Sequence, residues 1–266
     1  MINYTSLENK VFNNFASLAN IFQQNIPFPH IVIDNFLDQE LAHQLDTEFL
    51  SENSKFWYKY NNAIENKKSY NHWEAFPKWT YRFFSYLNSQ EFIDKLQKLF
   101  TNTKLFADIG LNGGGWHLHA NGGKLNAHLD YSIHPKLNLE RKLNIILYIN
   151  ENWQEEWGGM LGLWNHNKIT QQPDKLVKKI YPKFNRAVIF DTTCNSWHGL
   201  CETVHCPQNQ ARCSLAVYYL SIPQYNASTR TKALFAPTEA QKNDSQVLEL
   251  IKKRSQESHA EKVYKD

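Results

Sequence analysis

The stretch His128-Leu129-Asp130 decides how this chain is interpreted, because partners for it follow downstream at suitable intervals. Successive side chains of a β-strand point to opposite faces, so His128 and Asp130 point the same way. A further imidazole, His198 in the sequence SWHG, completes a facial set of two histidines and one carboxylate. This set suits Fe(II), because it fills three positions on one side of an octahedral ion and leaves room for a bidentate 2-oxo acid and dioxygen.

Three segments around this set are predicted to be buried strands, since they are rich in β-branched and aromatic residues. They are RKLNIILYIN (141–150), NRAVIFD (185–191) and ARCSLAVYYL (211–220). Alternation places Asn144, Ile146 and Tyr148 on one face of the first strand, and Arg212, Ser214, Ala216 and Tyr218 on one face of the last. The pair Gly158-Gly159 before an apolar run predicts a bulge or a close backbone approach.

With these motifs in place, the chain resembles the iron(II)- and 2-oxoglutarate-dependent oxygenases, and within them the prolyl 4-hydroxylase-like branch. The resemblance covers residues 105–221, with a looser match of IPFPHIVIDNFL at 26–37. Order and spacing agree in the HxD pair, the strand ending in Tyr-Ile-Asn, Gly-Gly-x-Leu, the distal His-Gly and a basic residue 14 positions after the distal histidine. The resemblance implies a mainly β fold with flanking helices, whose core is a double-stranded β-helix of the jelly-roll or cupin-like type, braced by N-terminal helices.

The resemblance also implies roles for individual residues. His128, Asp130 and His198 would bind iron, and Arg212 would pair with the distal carboxylate of 2-oxoglutarate. A guanidinium suits that task because its planar fork of donors holds a carboxylate bidentately and keeps its charge when desolvated. Prolyl 4-hydroxylases more often have lysine at the position of Arg212. In related halogenases a small residue replaces the carboxylate ligand, so the presence of Asp130 predicts hydroxylation.

Three more residues are expected to contact the co-substrate by the same resemblance. A tyrosine before the hydrophobic-Asn step often shares the distal carboxylate, which points to Tyr148, although a plain core role is the alternative. The Arg-x-Ser pattern makes Ser214 a further contact. His119 stands near the position of a tyrosine that contacts the co-substrate in many relatives. Arg141, at the start of its strand, is expected either to reach a substrate at the barrel mouth or to be a solvated strand end.

A zinc site is the competing interpretation of the cysteines. All four, Cys194, Cys201, Cys206 and Cys213, fall within 20 residues, with His198 and His205 among them. Context argues against zinc, because the cluster has no CxxC pair, Cys213 would face away from Arg212, and the HxD pair needs His198. Reduced thiols of a cytosolic protein are the simpler interpretation. A second metal site at His117 and His119 lacks a nearby carboxylate or thiol.

The remaining sequence predicts a supporting role for both ends of one structural domain, divided into a mostly helical region 1–104, a catalytic core 105–222 and a C-terminal extension 223–266. Apolar stripes predict one helix after Asp38, through Leu41, Leu45 and Phe49, and another capped by Ser89, through Phe92, Leu96 and Leu99. The tail from Pro237 predicts a charged helix with Val247, Leu248 and Ile251 on its apolar side. The segment Phe56–Phe76 is predicted to be a surface loop, with substrate selection over the barrel mouth as the alternative.

Composition excludes several classes of protein. The formal net charge is only +3 and the basic residues are scattered, so a nucleic-acid partner is not expected. No 18-residue apolar span and no signal-peptide pattern are present, so we expect no membrane partner and a cytoplasmic protein.

The sequence therefore predicts a dioxygenase that uses Fe(II), 2-oxoglutarate and O2, with ascorbate as an accessory reductant, to hydroxylate a C–H bond. The preferred substrate is a prolyl or other residue of a peptide or protein, and the alternative is a free amino acid or another small metabolite. A jelly-roll module that binds a metal or ligand without turnover is the alternative that is not an enzyme.

Overall fold

Two antiparallel sheets face each other in the computed structural model, which describes residues 15–51, 57–100 and 102–256. The strands are β1 (His30–Ile33), β2 (Tyr58–Asn61), β3 (Glu65–Tyr70), β4 (Phe106–Ala107), β5 (Gly115–His119), β6 (Lys124–Leu125), β7 (His128–Leu129), β8 (Glu140–Tyr148), β9 (Leu161–Asn167), β10 (Gln172–Ile180), β11 (Arg186–Asp191), β12 (His198–Leu200), β13 (Arg212–Ser221) and β14 (Leu234–Phe235). The helices are α1 (Phe15–Gln24), α2 (Gln39–Ser51), α3 (Lys78–Leu87), α4 (Gln90–Phe100) and α5 (Ser245–Ser255).

The larger sheet has the order β1-β11-β8-β13-β5-β3-β2, with β4 paired to β13 and β6 paired to β3. The smaller sheet has the order β10-β9-β12-β7-β14. Apart from the consecutive pairs β2/β3 and β9/β10, neighbours in these orders are not consecutive in the chain, which crosses repeatedly from one sheet to the other. This is the predicted double-stranded β-helix with flanking helices.

The predicted strands around the HxD pair are confirmed as β8, β11 and β13, in the middle of the larger sheet. Tyr148 of β8 lies opposite Ser214 of β13, and Ser214 lies opposite His117 of β5. Their side chains face the smaller sheet, while Leu147 and Leu215 on the opposite face join the main hydrophobic core. The period-two pattern of these strands therefore assigns one face to a cavity and the other to the core.

Helices α1 to α4 cover the outer face of the larger sheet. Asp38 begins α2 as predicted, since its Oδ1 accepts hydrogen bonds from the backbone N–H groups of Glu40 at 3.0 Å and Leu41 at 3.4 Å. Ser89 caps α4 in the same way, with its Oγ 3.3 Å from the backbone nitrogen of Phe92. The predicted stripe residues Leu41, Leu45, Phe49, Phe92 and Leu96 are buried in the core, and the side chain of Leu99 lies outside the described part of the chain.

The prediction of a surface loop over Phe56–Phe76 is wrong for most of that segment, although Phe56 itself lies outside the described residues. Strands β2 and β3 form a hairpin, and β3 extends the larger sheet by pairing Ser69 with His117. The turn is stabilised by Asn62, whose Oδ1 accepts from the backbone N–H groups of Ile64 and Glu65 at 3.0 Å each. The hairpin therefore forms one wall of the barrel mouth.

The C-terminal extension contains the predicted helix, α5, whose first turn is capped by Asp244. Val247 is buried against Ile64 and Phe235, with Leu250 and Ile251 packed beside them. Leu248 was expected on this apolar side, but it is 42% exposed, because the helix turns that position towards solvent. Residues 257–266 lie outside the described part of the chain. None of the described helices combines the length and the hydropathy that crossing a membrane requires.

Candidate active site

Two short strands of the smaller sheet bring the predicted metal ligands together. His128 of β7 and His198 of β12 are direct partners in the strand register, and Asp130 follows β7 by one residue. Nε2 of His128 lies 3.8 Å from Oδ1 of Asp130, and Nε2 of His198 lies 3.8 Å from Oδ2. All three side chains are buried, and within the described residues they form the only set of three or more His, Cys, Asp or Glu side chains close enough to share a metal ion.

Backbone carbonyl groups orient both imidazole rings. Nδ1 of His128 is 3.0 Å from the carbonyl oxygen of Asn126, and Nδ1 of His198 is 2.8 Å from that of Ser196. Nδ1 is therefore the protonated donor in each ring, and the lone pair of Nε2 points towards Asp130. Oδ2 of Asp130 has no hydrogen-bond partner among the described residues. Buried lone pairs that converge without donors fit a cation, and two imidazole nitrogens with one carboxylate fit Fe(II).

Burial also sets the protonation of these ligands. Burial, and after it the neighbouring His198, lower the pKa of His128 to about 3. For Asp130, burial raises the pKa of the carboxyl group, but His198 and Arg141 outweigh that effect and the pKa ends below its usual value. A neutral imidazole and an ionised carboxylate are the forms that bind a metal.

Arg141 supports the carboxylate from the side. Its Nη1 lies 3.6 Å from Oδ1 of Asp130, and its guanidinium carbon lies 3.4 Å and 3.5 Å from the ring centroids of Tyr131 and Tyr218. The guanidinium also donates to the carbonyl oxygen of Asn112. Only 2% of Arg141 is exposed, so the expectation of a solvated strand end is wrong. The two rings hold the cation by cation–π attraction at a fixed place beside the ligand.

The C-terminal extension contributes a second support, which the sequence did not predict. Nη2 and Nε of Arg230 donate to the backbone carbonyl oxygen of Asp130 at 2.9 Å and 3.2 Å. Phe235 pairs with His128 in the register of β14 and β7, and its ring stacks on the imidazole with centroids 5.0 Å apart. A two-residue strand has no periodicity, so no sequence signal pointed to these contacts.

A buried cation faces the same cavity from the larger sheet. Arg212 is 3% exposed; its Nε donates to the carbonyl oxygen of Gly159 at 2.6 Å and its Nη2 to the hydroxyl of Tyr148 at 3.2 Å. Gly159 has φ +72°, and a Cβ there would lie 2.9 Å from Cδ of Arg212, so the predicted close approach at the glycine pair is confirmed. Among the described residues no carboxylate forms an ion pair with Arg212. A buried guanidinium without a counter-charge is a binding site for an anion.

His119 and Ser214 lie beside this cation. His119 is the register partner of Arg212, and Ser214 is that of Tyr148. His119 is 2% exposed, and neither of its ring nitrogens has a hydrogen-bond partner among the described residues. Burial, and then the charge of Arg212, keep its pKa well below the usual value, so the ring is neutral. His117 points into the same cavity, and no described carboxylate or thiol joins the two histidines into a second metal site.

One cavity of about 260 Å³ joins the metal-ligand set to Arg212. The four cysteines are free thiols, and none of them belongs to a metal-binding cluster of the described residues. Cys213 is buried in the main core, on the strand face opposite Arg212. The geometry therefore opposes the zinc interpretation and places a metal site and an anion site in one cavity.

Comparisons with known proteins agree with this geometry. A model of the 2OG-Fe(II) oxygenase superfamily matches residues 115–220. Prolyl 3-hydroxylase OGFOD1 of Xenopus laevis is 23% identical over 220 residues, which cover 77% of this chain and 37% of that protein. The corresponding protein of Mus musculus is 26% identical over 225 residues, which cover 79% of this chain and 35% of that protein. The chain thus spans about a third of the length of these curated relatives.

A solved structure has a similar fold. It is a prolyl hydroxylase from Trichoplax adhaerens in complex with a peptide fragment of the hypoxia inducible factor oxygen degradation domain. The TM-score is 0.58 at 18% sequence identity, and the match covers 83% of this chain and 94% of that one.

Proposed function

We propose that this chain is a member of the 2OG-Fe(II) oxygenase superfamily, in its prolyl 4-hydroxylase-like branch, and that it hydroxylates a prolyl residue of a peptide or protein. The observation that carries the proposal is the shared cavity, in which two oriented imidazoles and a carboxylate face a buried guanidinium that pairs with no described carboxylate. The prolyl substrate is supported by the names of the relatives, both of which are prolyl 3-hydroxylases.

In this proposal His128, Asp130 and His198 hold Fe(II), which fits the donor set of two nitrogens and one oxygen. When bound, iron and 2-oxoglutarate supply the oxidation, in which substrate C–H, 2-oxoglutarate and O2 give substrate C–OH, succinate and CO2. Arg212 binds the distal carboxylate of 2-oxoglutarate, since its remaining N–H groups donate to no described residue and can form a bidentate pair. Its neighbour Tyr148 shares that carboxylate.

Ser214 and His119 add hydrogen bonds to the same co-substrate in this proposal. Ser214 is next to the tyrosine in the strand register, and the neutral ring of His119 has one donor and one acceptor with no partner among the described residues. The buried surroundings exclude water from the ligands, which strengthens each of these contacts. Arg141 and Arg230 keep Asp130 in place through its carboxylate and its carbonyl oxygen.

The test uses anaerobic protein loaded with Fe(II). Addition of 2-oxoglutarate should produce a weak metal-to-ligand charge-transfer band in the visible range, and admission of O2 with prolyl peptides should yield succinate and hydroxyproline. His198→Ala should lose iron, band and turnover together, whereas the matched control His205→Ala should keep all three. Protein that binds iron but gives neither band nor succinate would be a binding module, and the proposal would be wrong.

We also propose a reducing compartment, the cytoplasm, and ascorbate as the accessory reductant. All four thiols are free, and two of them, Cys194 and Cys201, are accessible enough to be oxidised elsewhere. Ascorbate would return oxidised iron to Fe(II) after cycles without substrate. The measurement is the number of turnovers before inactivation, which ascorbate should raise and a redox-inert acid such as acetate should not.

A further inference from the structure

The cavity carries an excess of positive charge. Its lining contains five cationic side chains, Lys67, Arg141, Arg212, Lys232 and Arg254, and two carboxylates, Glu65 and Asp130. Fe(II) and the dianion of 2-oxoglutarate would add equal and opposite charges, so the excess would persist in the loaded enzyme. A cavity of one sign attracts ligands of the other sign.

Two of these cations are engaged by the site described above. Arg212 faces the co-substrate end, and Arg141 lies beside Asp130. The carboxylate of Glu65, which is 1% exposed, forms ion pairs with two cations. Its Oε2 lies 3.7 Å from Nζ of Lys67, and its Oε1 lies 3.5 Å from Nε of Arg254.

Strand register places Lys67 close to His119 and Arg212. Lys68 pairs with Leu118, so Lys67 stands beside His119, which in turn pairs with Arg212. Lys67 therefore lies two strands, or about 10 Å, from the backbone of Arg212. Its ammonium group lies 4.9 Å from the ring centroid of Tyr60, and it makes no hydrogen bond with any described residue. Its donors are available to a ligand.

Lys232 also lines the cavity, from the loop that precedes β14. The chain on either side of it is anchored to the metal-ligand strand, by Arg230 on the carbonyl oxygen of Asp130 and by Leu234 paired with Leu129. Within the part of the chain that the structure describes, Lys232 has no ion-pair partner. Lys67 and Lys232 thus line the same cavity as the metal-ligand set, and neither donates a hydrogen bond to a described residue.

We propose that the substrate carries a carboxylate next to the residue that is hydroxylated, and that Lys67 and Lys232 bind it. This inference rests on the proposed function and names the substrate class of the same site. The carboxylate belongs either to an aspartate or glutamate beside the target proline or to a free amino acid. Both sources present the same acceptor to the two ammonium groups.

The experiment uses three peptide libraries with one central proline, whose flanking positions contain Asp and Glu, or the isosteric Asn and Gln, or Lys and Arg. L-proline and L-prolinamide form the small-molecule arm. Mass spectrometry follows the gain of one oxygen atom. We expect the acidic library, or L-proline, to be hydroxylated about tenfold faster than its amide counterpart, as for other sites that select by charge. The two arms identify the source of the carboxylate.

Three variants assign the preference to residues. Lys67→Met and Lys232→Met should each reduce the preference for the acid over the amide, measured as the ratio of the two hydroxylation rates within the same variant. The matched control is Lys68→Met, on the same strand but the opposite face, which should keep the full preference. Lys232 lies in a loop outside the sheets, so Lys232→Met still tests the inference if Lys67→Met folds poorly.

A binding measurement is independent of turnover. Fluorescently labelled libraries are titrated with Mn(II)-loaded protein under nitrogen, and the acidic library should bind more tightly than the amide library, with a difference that shrinks as salt increases. Equal affinity and equal hydroxylation of acid and amide would overturn the inference, as would the absence of binding and hydroxylation in both arms while succinate is still formed. Loss of the charge-transfer band and of all succinate formation would instead contradict the proposed function.

Discussion

Arg212→Met is expected to separate co-substrate binding from metal binding. The guanidinium is buried, and its bonds to Gly159 and Tyr148 fix its orientation without neutralising its charge. Breaking a charge-assisted bidentate pair costs about 2 to 4 kcal/mol, so the Kd for 2-oxoglutarate should rise about 30- to 1000-fold. The affinity for Fe(II) should change little, because Arg212 has no contact with the three metal ligands.

The assay is a titration of 2-oxoglutarate into anaerobic, Fe(II)-loaded protein, followed by the charge-transfer band. Arg186→Met is the matched control, because Arg186 lies opposite Tyr148 in the strand register but its guanidinium binds Asp34 at 2.6 Å and 3.0 Å outside the cavity. The Kd of Arg212→Lys for 2-oxoglutarate should lie between those of the wild type and Arg212→Met. Lysine keeps the positive charge but lacks the planar pair of donors that a guanidinium offers.

Two results would refute this reasoning. An unchanged Kd for 2-oxoglutarate in Arg212→Met would remove Arg212 from co-substrate binding and leave it a structural role. An equal loss of affinity in Arg186→Met would show that the effect is one of overall charge. Thermal unfolding of each variant identifies a loss of affinity that comes only from misfolding.

Three further predictions use the same site. If the hydroxyl of Tyr148 shares the carboxylate, Tyr148→Phe should weaken the binding of 2-oxoglutarate by about 1 kcal/mol. A titration that shows no change in affinity would leave Tyr148 with a packing role only. Phe235→Leu and Arg230→Met should each lower Mn(II) affinity about tenfold in calorimetry, because both support the ligand strand. Burial lowers the pKa of His117 and of His128 to about 3, so protonation favours the unfolded chain. For each of the two, the apoprotein should lose about 1.4 kcal/mol of unfolding free energy per pH unit below pH 6.5, levelling off near pH 3, which urea unfolding at several pH values measures.

Local patterns predicted the part of the site that lies on regular strands. The alternation in 211–220 puts Arg212 and Ser214 on one face, and the strand in the structure keeps that face towards the cavity. The HxD spacing works for the same reason, since a period of two brings His128 and Asp130 to one side. These predictions succeed because strand geometry alone determines which side chains share a face.

The hairpin of β2 and β3 escaped prediction because its composition is that of a loop. Strand β3 reads ENKKSY, with no apolar alternation, since its inward face meets a polar cavity and not a core. Its stability comes from pairing with β5, about 50 residues further along the chain. The contact between Arg230 and Asp130 was not predicted for a similar reason, since 100 residues separate the two in the sequence. Such contacts depend on tertiary packing, which no local pattern encodes.

The metal ligands and the residue proposed to bind 2-oxoglutarate lie on different sheets. The metal-ligand set lies on the smaller sheet, where β7 and β12 have only two and three residues, and where β14 pairs with β7 and Arg230 donates to Asp130. Arg212 lies on the larger sheet, which α1 to α4 brace from outside. A substitution in that outer core should therefore loosen 2-oxoglutarate before it loosens the metal. A substitution in the segment 230–235 should do the reverse, because Arg230 and Phe235 contact Asp130 and His128 and not Arg212.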